Sequence, residues 1–218
     1  MDEIMQGSLE WLQMRAGHVT AGRTEDVKAF KRTKMADGTY KVVEGETRRK
    51  YKRRIALERI MGAPILEGYV SQEMQRGIDL EPVARAAYEA HTGNFVDQMS
   101  FAYHPRIKYF GASPDGLIGD DGLVEIKCPN TETHFGYLLD GVPPTKYHDQ
   151  MIAQCACTGR KWVDFVSFDD RIPKPELQLF IVRFVPTEEQ IRETEEAVIK
   201  FLAEVDELYA KLNFNERK

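Results

Sequence analysis

The sequence is poor in cysteine and has no long apolar run. Its 218 residues include three cysteines and no Cys-x-x-Cys pair, which argues against a disulfide framework or a zinc ribbon. No stretch approaches the roughly 18 apolar residues of a transmembrane helix. The opening residues, MDEIMQGSLEW, are acidic and lack the apolar segment of a secretory signal peptide. We therefore expect a cytoplasmic protein without a membrane segment, in which Cys155 and Cys157 are buried apolar side chains.

Several catalytic motifs are also missing. There is no GxxxxGK[ST] loop, so no nucleotide cofactor is expected, and there is no GxSxG elbow of a serine hydrolase. The five histidines show neither HxxxH nor HExxH spacing, which argues against a histidine-based zinc site.

The charge is unevenly distributed along the chain. Residues 1–59 hold 14 lysines and arginines against nine acidic residues, whereas residues 60–185 hold 11 against 17 and residues 186–218 hold five against nine. A basic first quarter on an acidic body suits a protein that binds a polyanion in one place and cations in another.

A basic run dominates this first quarter. Six positive charges fall within seven residues, and their sequence-independent contact with a DNA backbone would weaken with salt. On a helix they would surround the axis, so a solvated face is the alternative. The run consists of Arg48, Arg49, Lys50, Lys52, Arg53 and Arg54.

Alternating helical and strand patterns predict an α/β fold with a mixed central sheet of about five strands and helices on both sides. We expect one domain over residues 1–218. Its parts are a helical, basic, DNA-contacting segment (1–62), a catalytic core (63–185) and a C-terminal helix (186–218), which closes the domain core or serves an interface.

Individual elements follow from the same patterns. Residues 8–30 predict two short helices with Thr20 capping the second, and residues 33–46 a hairpin or loop. Residues 71–92 predict a helix with an apolar side formed by Met74, Ile78, Val83, Ala87 and Tyr88. Short strands are predicted near residues 95–96 and 101–110, then at 123–128, 163–168 and 177–185, with helices at 131–140 and 144–158.

The segment SPDGLIGDDGLVEIKCP, residues 113–129, carries the chemistry. Side chains alternate along a strand, so Glu125 and Lys127 share one face while Ile126 points into the core. Asp115 precedes the hairpin and can approach Glu125 across it. The two carboxylates and the Ile126 carbonyl are hard oxygen ligands suited to Mg²⁺, and Lys127 can stabilise or help to deprotonate an attacking water. A plain ion pair is the structural alternative.

Four blocks of the sequence together resemble a known family. Pro114-Asp115, nine residues, then Glu125-Ile126-Lys127 match the PD-(D/E)xK nuclease signature. The wider form, SPDG followed by EIKCP, resembles the viral alkaline exonucleases, the group of phage lambda exonuclease and the YqaJ-type viral recombinases. Residues 11–21 (WLQMRAGHVTA), 77–81 and 147–159 are similar to three further motifs of that family, in the same order.

The resemblance implies a role for each matching position. Asp115, Glu125 and the Ile126 carbonyl would bind the catalytic metals, and Lys127 would orient the nucleophilic water. Glu81 would add a carboxylate to the second metal, directly or through water. Gln150 would hold Lys127 or the water. Gln154, one turn further on, is a weaker candidate that we expect to pack or to face solvent.

The resemblance also implies a binding site for the 5′-terminal phosphate of DNA. Arg15 would contact the phosphate, because its planar fork can bond two oxygens at once, and Thr20 belongs to the same motif. Gly22 stands where the family often has a serine, so one hydroxyl contact to the phosphate is expected to be missing.

The implied activity is 5′-to-3′ digestion of one strand of linear duplex DNA to mononucleotides, leaving a 3′ overhang. It would use two Mg²⁺ ions, for which Mn²⁺ could substitute. The implied assembly is a homotrimeric ring acting with a single-strand annealing protein, in a bacterial cytoplasm and encoded by a phage or prophage. The alternatives are an endonuclease on the same core and a non-catalytic DNA-binding or scaffold protein.

Overall fold

Helices and strands alternate along the described part of this computed structural model, residues 4–35, 37–66, 68 and 71–213. In order these are α1 (Leu9–Arg15), β1 (Val19–Thr20), α2 (Thr24–Val27), β2 (Phe30–Lys34), β3 (Tyr40–Glu44), α3 (Glu46–Met61), α4 (Gln72–Thr92), β4 (Ala102–Tyr103), β5 (Phe110–Ala112), β6 (Gly116–Ile118), β7 (Gly122–Lys127), α5 (Thr131–Asp140), α6 (His148–Thr158), β8 (Trp162–Phe168), β9 (Leu179–Phe184) and α7 (Glu188–Asn213). The α/β class is confirmed. Within these ranges no helix has both the length and the apolar character needed to cross a membrane.

The main sheet is mixed, as predicted, and has the strand order β6-β7-β8-β9. The pair β7–β8 is parallel, and the other two pairs are antiparallel. The sheet has four strands rather than about five, because β4 and β5 pair with β1 in a separate small sheet. The strand predicted at residues 95–96 is wrong. The chain there makes only an isolated bridge, between Asp97 and Leu117.

Strand β7 is sandwiched between two helices. Val124 and Ile126 pack on one side with Tyr88 of α4, and Leu123 packs on the other side with Met151 of α6. Each such burial contributes about 1.5–3 kcal/mol, so both faces of the strand are fixed. By alternation Glu125 and Lys127 share the α6 side with Leu123.

The N-terminal part departs from expectation at Thr20. The hairpin predicted near residues 33–46 is confirmed as the antiparallel pair β2–β3. Thr20, however, lies in the two-residue strand β1 beside Gly111 and makes no side-chain capping bond. Thr20 stands at the N-cap position of the short 3₁₀ turn Ala21–Arg23, as predicted, but its side chain does not cap the turn, and its backbone N–H donates to the Tyr51 hydroxyl at 3.0 Å.

The apolar side predicted for α4 is also wrong over its first half. Met74 is 56% exposed and Ile78 59% exposed, and Val83 is exposed as well. The helix meets the sheet further along, where Ala84 and Tyr88 are fully buried. Tyr88 also donates its hydroxyl to Asp164 on β8 at 2.8 Å. Helix length was predictable from the sequence, whereas the stretch that contacts the sheet was not.

The last helix closes the domain core. Phe201 and Val205 of α7 are buried in one apolar cluster with Tyr51 and Ile55 of α3. Helix α7 is therefore part of the core of its own domain.

An ion-pair network joins the same two helices. Arg48 donates from Nη1 and Nη2 to the two carboxylate oxygens of Glu204 at 2.7 and 2.8 Å, and Lys52 donates to Glu204 at 2.7 Å. The pKa of Glu204 is lowered to about 2. The hydrogen bond from Arg48 is the largest cause and Lys52 adds to it, and together they outweigh the opposite effect of burial.

We predict that Glu204→Gln destabilises the fold by about 1–3 kcal/mol at pH 7, because Arg48 loses a charged partner. The lowered pKa of Glu204 means that the wild-type advantage is present above about pH 4.5 and is lost as the pH falls through about 2. Urea unfolding of wild type and E204Q at pH 7 and pH 3 measures this difference in the free energy of unfolding. Glu207→Gln, an exposed position on the same helix, is the control. Equal unfolding free energies for wild type and E204Q at pH 7 would contradict the assignment.

Candidate active site

Strand pairing brings Asp115 and Glu125 together. Gly116 lies opposite Val124 in the antiparallel pair β6–β7, which places the preceding Asp115 next to the Glu125–Ile126 segment. The Ile126 backbone N–H donates to Asp115 Oδ2 at 2.6 Å. The side chain of Glu125 is fully buried and that of Asp115 half-buried. The hairpin approach predicted from the sequence is thus present.

Three donors satisfy the buried Glu125 carboxylate. Lys127 Nζ pairs with Oε1, Gln150 Nε2 donates to Oε1 at 2.6 Å, and Gln154 Nε2 donates to Oε2 at 2.5 Å. Gln150 thus bonds the carboxylate itself. Gln154 is fully buried and joins the site, so the expectation that it packs or faces solvent was wrong. The i, i+4 spacing of the two glutamines on one helix was the signal available for it.

The two carboxylates and the lysine perturb one another. Burial, and next the Glu125 charge, raise the pKa of Asp115 well above its usual range, and Glu81 adds to the effect. Burial lowers the pKa of Lys127, but Glu125 and Asp115 outweigh it, so this pKa is raised. Lys127 is therefore a cation at neutral pH and acts here as a donor rather than a base.

A cavity of about 600 Å³ is lined by Asp115, Ile126 and Lys127. Glu81 on α4 lines it, with its carboxylate accepting from Arg85 at 2.6 Å. Lys146 also lines it, with Nζ 4.8 Å from the centre of the Tyr147 ring. Lys146 was not predicted as a site residue, because one lysine in a polar loop carries no pattern. It adds to the positive charge of a cavity that Lys127, Arg76 and Arg171 also line.

The donor set fits a divalent cation. Asp115, Glu81 and Ile126 line the cavity, and the charge of the buried Glu125 acts on Asp115. Across the described ranges no three Asp, Glu, His or Cys side chains converge as a ready-made ion cage. Mg²⁺ in proteins is commonly held by one or two carboxylates, with water and substrate phosphate completing its shell. Burial is the main cause of the raised pKa of Asp115, and the part that comes from the Glu125 and Glu81 charges is repulsion that a cation relieves.

A second cavity, of about 460 Å³, surrounds Arg15. The guanidinium stacks 3.9 Å from the Trp11 ring centre, and Nη1 donates to Ser113 Oγ at 3.1 Å. Trp11 Nε1 also donates to Ser113 Oγ, at 3.0 Å. Burial lowers the pKa of Arg15 to about 10, so the side chain is still charged at neutral pH. Thr20 lines the same cavity, as the shared motif implies.

The basic run divides into structural and exposed members. The side chain of Arg48 is 4% exposed and paired with two acids, so it serves the fold, and its prediction as a DNA contact is corrected. Lys52 is held by the same two acids.

The other members of the run lie nearer the surface. Arg54 pairs with Glu58 at the rim of the Arg15 cavity. Lys50 pairs with Glu46 on the surface, and Arg49 and Arg53 are exposed. These exposed positions keep their prediction as DNA contacts.

Comparison with known proteins identifies the family of the chain. Residues 10–161 match the model of the YqaJ-like viral recombinase domain family. The chain belongs to this family. The alkaline exonuclease LHK-Exo from Laribacter hongkongensis is 41% identical, with a TM-score of 0.83 over 96% of this chain and 98% of that one. The structure of LHK-Exo in complex with dAMP is 40% identical, with a TM-score of 0.84 over 96% of this chain and 98% of that one.

More distant structures share the fold alone. A phage-related exonuclease from Haemophilus somnus 129PT is 16% identical, with a TM-score of 0.63 over 89% of this chain and 96% of that one. No curated protein matches the chain. The resemblance drawn from the sequence blocks is confirmed by the family match and the LHK-Exo structures.

We predict that Asp115→Asn stabilises the metal-free protein while it impairs the site. The raised pKa of Asp115 means that its ionised form opposes folding at pH 8, and asparagine removes this charge but can still accept from Ile126. The expected gain in Tm is about 2–4 °C in EDTA. Asp120→Asn, on the exposed β6–β7 turn, should leave Tm unchanged. A lower Tm for D115N would show that repulsion at this position is not the dominant effect.

Proposed function

We propose that the protein is a Mg²⁺-dependent exodeoxyribonuclease that degrades one strand of linear duplex DNA in the 5′-to-3′ direction. The observation that carries this proposal is that Asp115 and Lys127 line one cavity and that Lys127 pairs with the buried carboxylate of Glu125, in a chain of the YqaJ-like family. A pair of carboxylates beside a lysine is suited to hydrolysis of a phosphodiester, which yields a 5′-phosphomonoester.

Asp115, Glu125 and the Ile126 carbonyl would hold Mg²⁺, with Glu81 assisting a second ion directly or through water. When bound, Mg²⁺ supplies activation of water and neutralisation of charge on the phosphate, and Mn²⁺ would substitute for it. The remaining contributions belong to the protein's own side chains.

Lys127 orients the attacking water and stabilises negative charge that develops on the phosphate. Its raised pKa keeps it protonated, so it acts by hydrogen bonding and charge rather than by removing a proton. Gln150 donates to the same oxygen of Glu125 that Lys127 contacts, and it fixes this carboxylate and the lysine relative to one another.

The Arg15 cavity is suited to the 5′-phosphate of the strand being cut. Arg15 is hydrogen-bonded to Ser113, which lies two residues before Asp115. Two residues span at most about 7 Å, close to the spacing of successive phosphates in an extended strand. A phosphate held at Arg15 would thus leave the next phosphodiester near Asp115. This supports release of single nucleotides from the 5′ end. LHK-Exo, crystallised with dAMP, binds a molecule of this type.

We further propose that the protein assembles as a homotrimeric ring around duplex DNA. The resulting 3′ overhang would be coated by a single-strand annealing protein for recombination. This would take place in the cytoplasm of a bacterial cell that carries the phage or prophage gene. These statements rest on the family likeness.

Labelled DNA tests the proposal directly. Linear duplex with a radiolabel at one 5′ end should release labelled mononucleotide at once with Mg²⁺ and none with EDTA, while a 3′ label is lost late. Closed circular duplex should stay intact. Cuts in the circle would indicate an endonuclease, and DNA that is bound but intact under all conditions would indicate a binding protein.

Lys127→Ala should reduce kcat by about 100- to 1,000-fold, because the negative charge that develops on the phosphate loses a hydrogen-bond donor. DNA affinity, measured by fluorescence anisotropy in Ca²⁺, should change little. Lys161→Ala removes an exposed lysine that pairs with Asp121 and should behave as wild type. Residual activity above a tenth of wild type would remove Lys127 from the mechanism.

Arg15→Ala should narrow the preference for 5′-phosphorylated over 5′-hydroxyl ends by about 10- to 100-fold, because charged hydrogen bonds to the phosphate are lost. The ratio of kcat/KM values on the two substrates measures this preference. Arg192→Ala, on the surface of α7, is the control. An undiminished ratio would place the phosphate site elsewhere.

A further inference from the structure

Gln154 is a fully buried polar side chain that contacts the Glu125 carboxylate. It lies on α6, between residues that pack into two different apolar clusters, Ala153 and Cys155. Its Nε2 donates to Glu125 Oε2 at 2.5 Å, and the side chain is fully buried. The core therefore holds an amide aimed at the inner oxygen of a carboxylate.

The orientation of this amide follows from its partner. An ionised carboxylate only accepts hydrogen bonds, so the NH₂ group of Gln154 must face Glu125 and its Oε1 must point away. In the described part of the chain no donor reaches this Oε1, although the atom is buried. A buried acceptor without a donor is unfavourable, and a methionine of similar size would avoid it. Core packing alone thus does not account for a glutamine here.

The two oxygens of Glu125 have different surroundings. Oε1 contacts Lys127 and Gln150, both of which are half-buried near the cavity, whereas the contact of Oε2 is the buried Gln154. Gln154 therefore fixes the rotation of the carboxylate about its last bond. Oε1 is directed toward Lys127 and Gln150, and Oε2 is held in the core by Gln154.

We propose that Gln154 is a positioning residue that holds Oε2 of Glu125 and so presents Oε1 alone to the divalent cation and Lys127. This inference rests on the proposed function. It adds that Glu125 contributes a single oriented oxygen, and that the orientation is set by α6, the helix on the same face of the sheet as Glu125.

The test compares Gln154→Met with a core variant of the same helix. Cys155→Ala shortens a buried neighbour of Gln154 that belongs to the same apolar cluster as Met151. For wild type and both variants, Mn²⁺ affinity is measured by isothermal titration calorimetry without DNA, together with Tm, kcat and KM. Q154M should lose about 10- to 100-fold in Mn²⁺ affinity and in kcat, with KM for DNA within about twofold. C155A should keep wild-type Mn²⁺ affinity whatever its Tm.

Wild-type Mn²⁺ affinity and kcat in Q154M would overturn the inference, as would losses in Q154M and C155A that simply follow their losses in Tm. If Q154M does not fold, Gln154→Ala takes its place under the same criteria. A wild type that binds Mn²⁺ and cleaves DNA keeps the proposed function whatever Q154M does. A wild type that does neither overturns the proposed function and this inference with it.

Discussion

A carboxylate buried in the centre of a sheet is the constraint on which the site depends. An isolated ionised carboxylate in such a place would cost several kcal/mol, so every surrounding element must supply a partner. The same strand supplies Lys127, and α6 supplies Gln150 and Gln154. Because both helix and strand are fixed by apolar packing on Met151 and Leu123, the carboxylate cannot relax toward water.

The two faces of the sheet carry different kinds of side chain. On the α4 side Val124 and Ile126 are buried in an ordinary apolar cluster, which holds the strand in place. On the α6 side the strand carries the charged pair Glu125 and Lys127. The N-terminal segment is joined to this core through Ser113, which contacts both Trp11 and Arg15. The proposed phosphate site and the proposed hydrolytic site are thereby linked through three successive residues.

Much of this arrangement could be predicted from local sequence. Strand alternation gave the shared face of Glu125 and Lys127, and the hairpin gave the approach of Asp115. The sequence could not show which half of α4 meets the sheet, because Met74 and Ile78 look like core residues until their exposure is known. Nor could the sequence show that Arg48 is paired with Glu204, since these two residues lie 156 positions apart in the chain. Gln154 was misjudged for the same reason, because its partner lies on another element.

Anomalous diffraction from crystals grown with Mn²⁺ and a 5′-phosphorylated duplex tests the central claim most directly, namely that Asp115 and Glu125 form a metal centre for phosphodiester hydrolysis. The account predicts an anomalous peak in contact with both carboxylates, with the strand's terminal phosphate at Arg15. Mn²⁺ bound elsewhere, with Glu125 still paired only to Lys127 and the two glutamines, would contradict it.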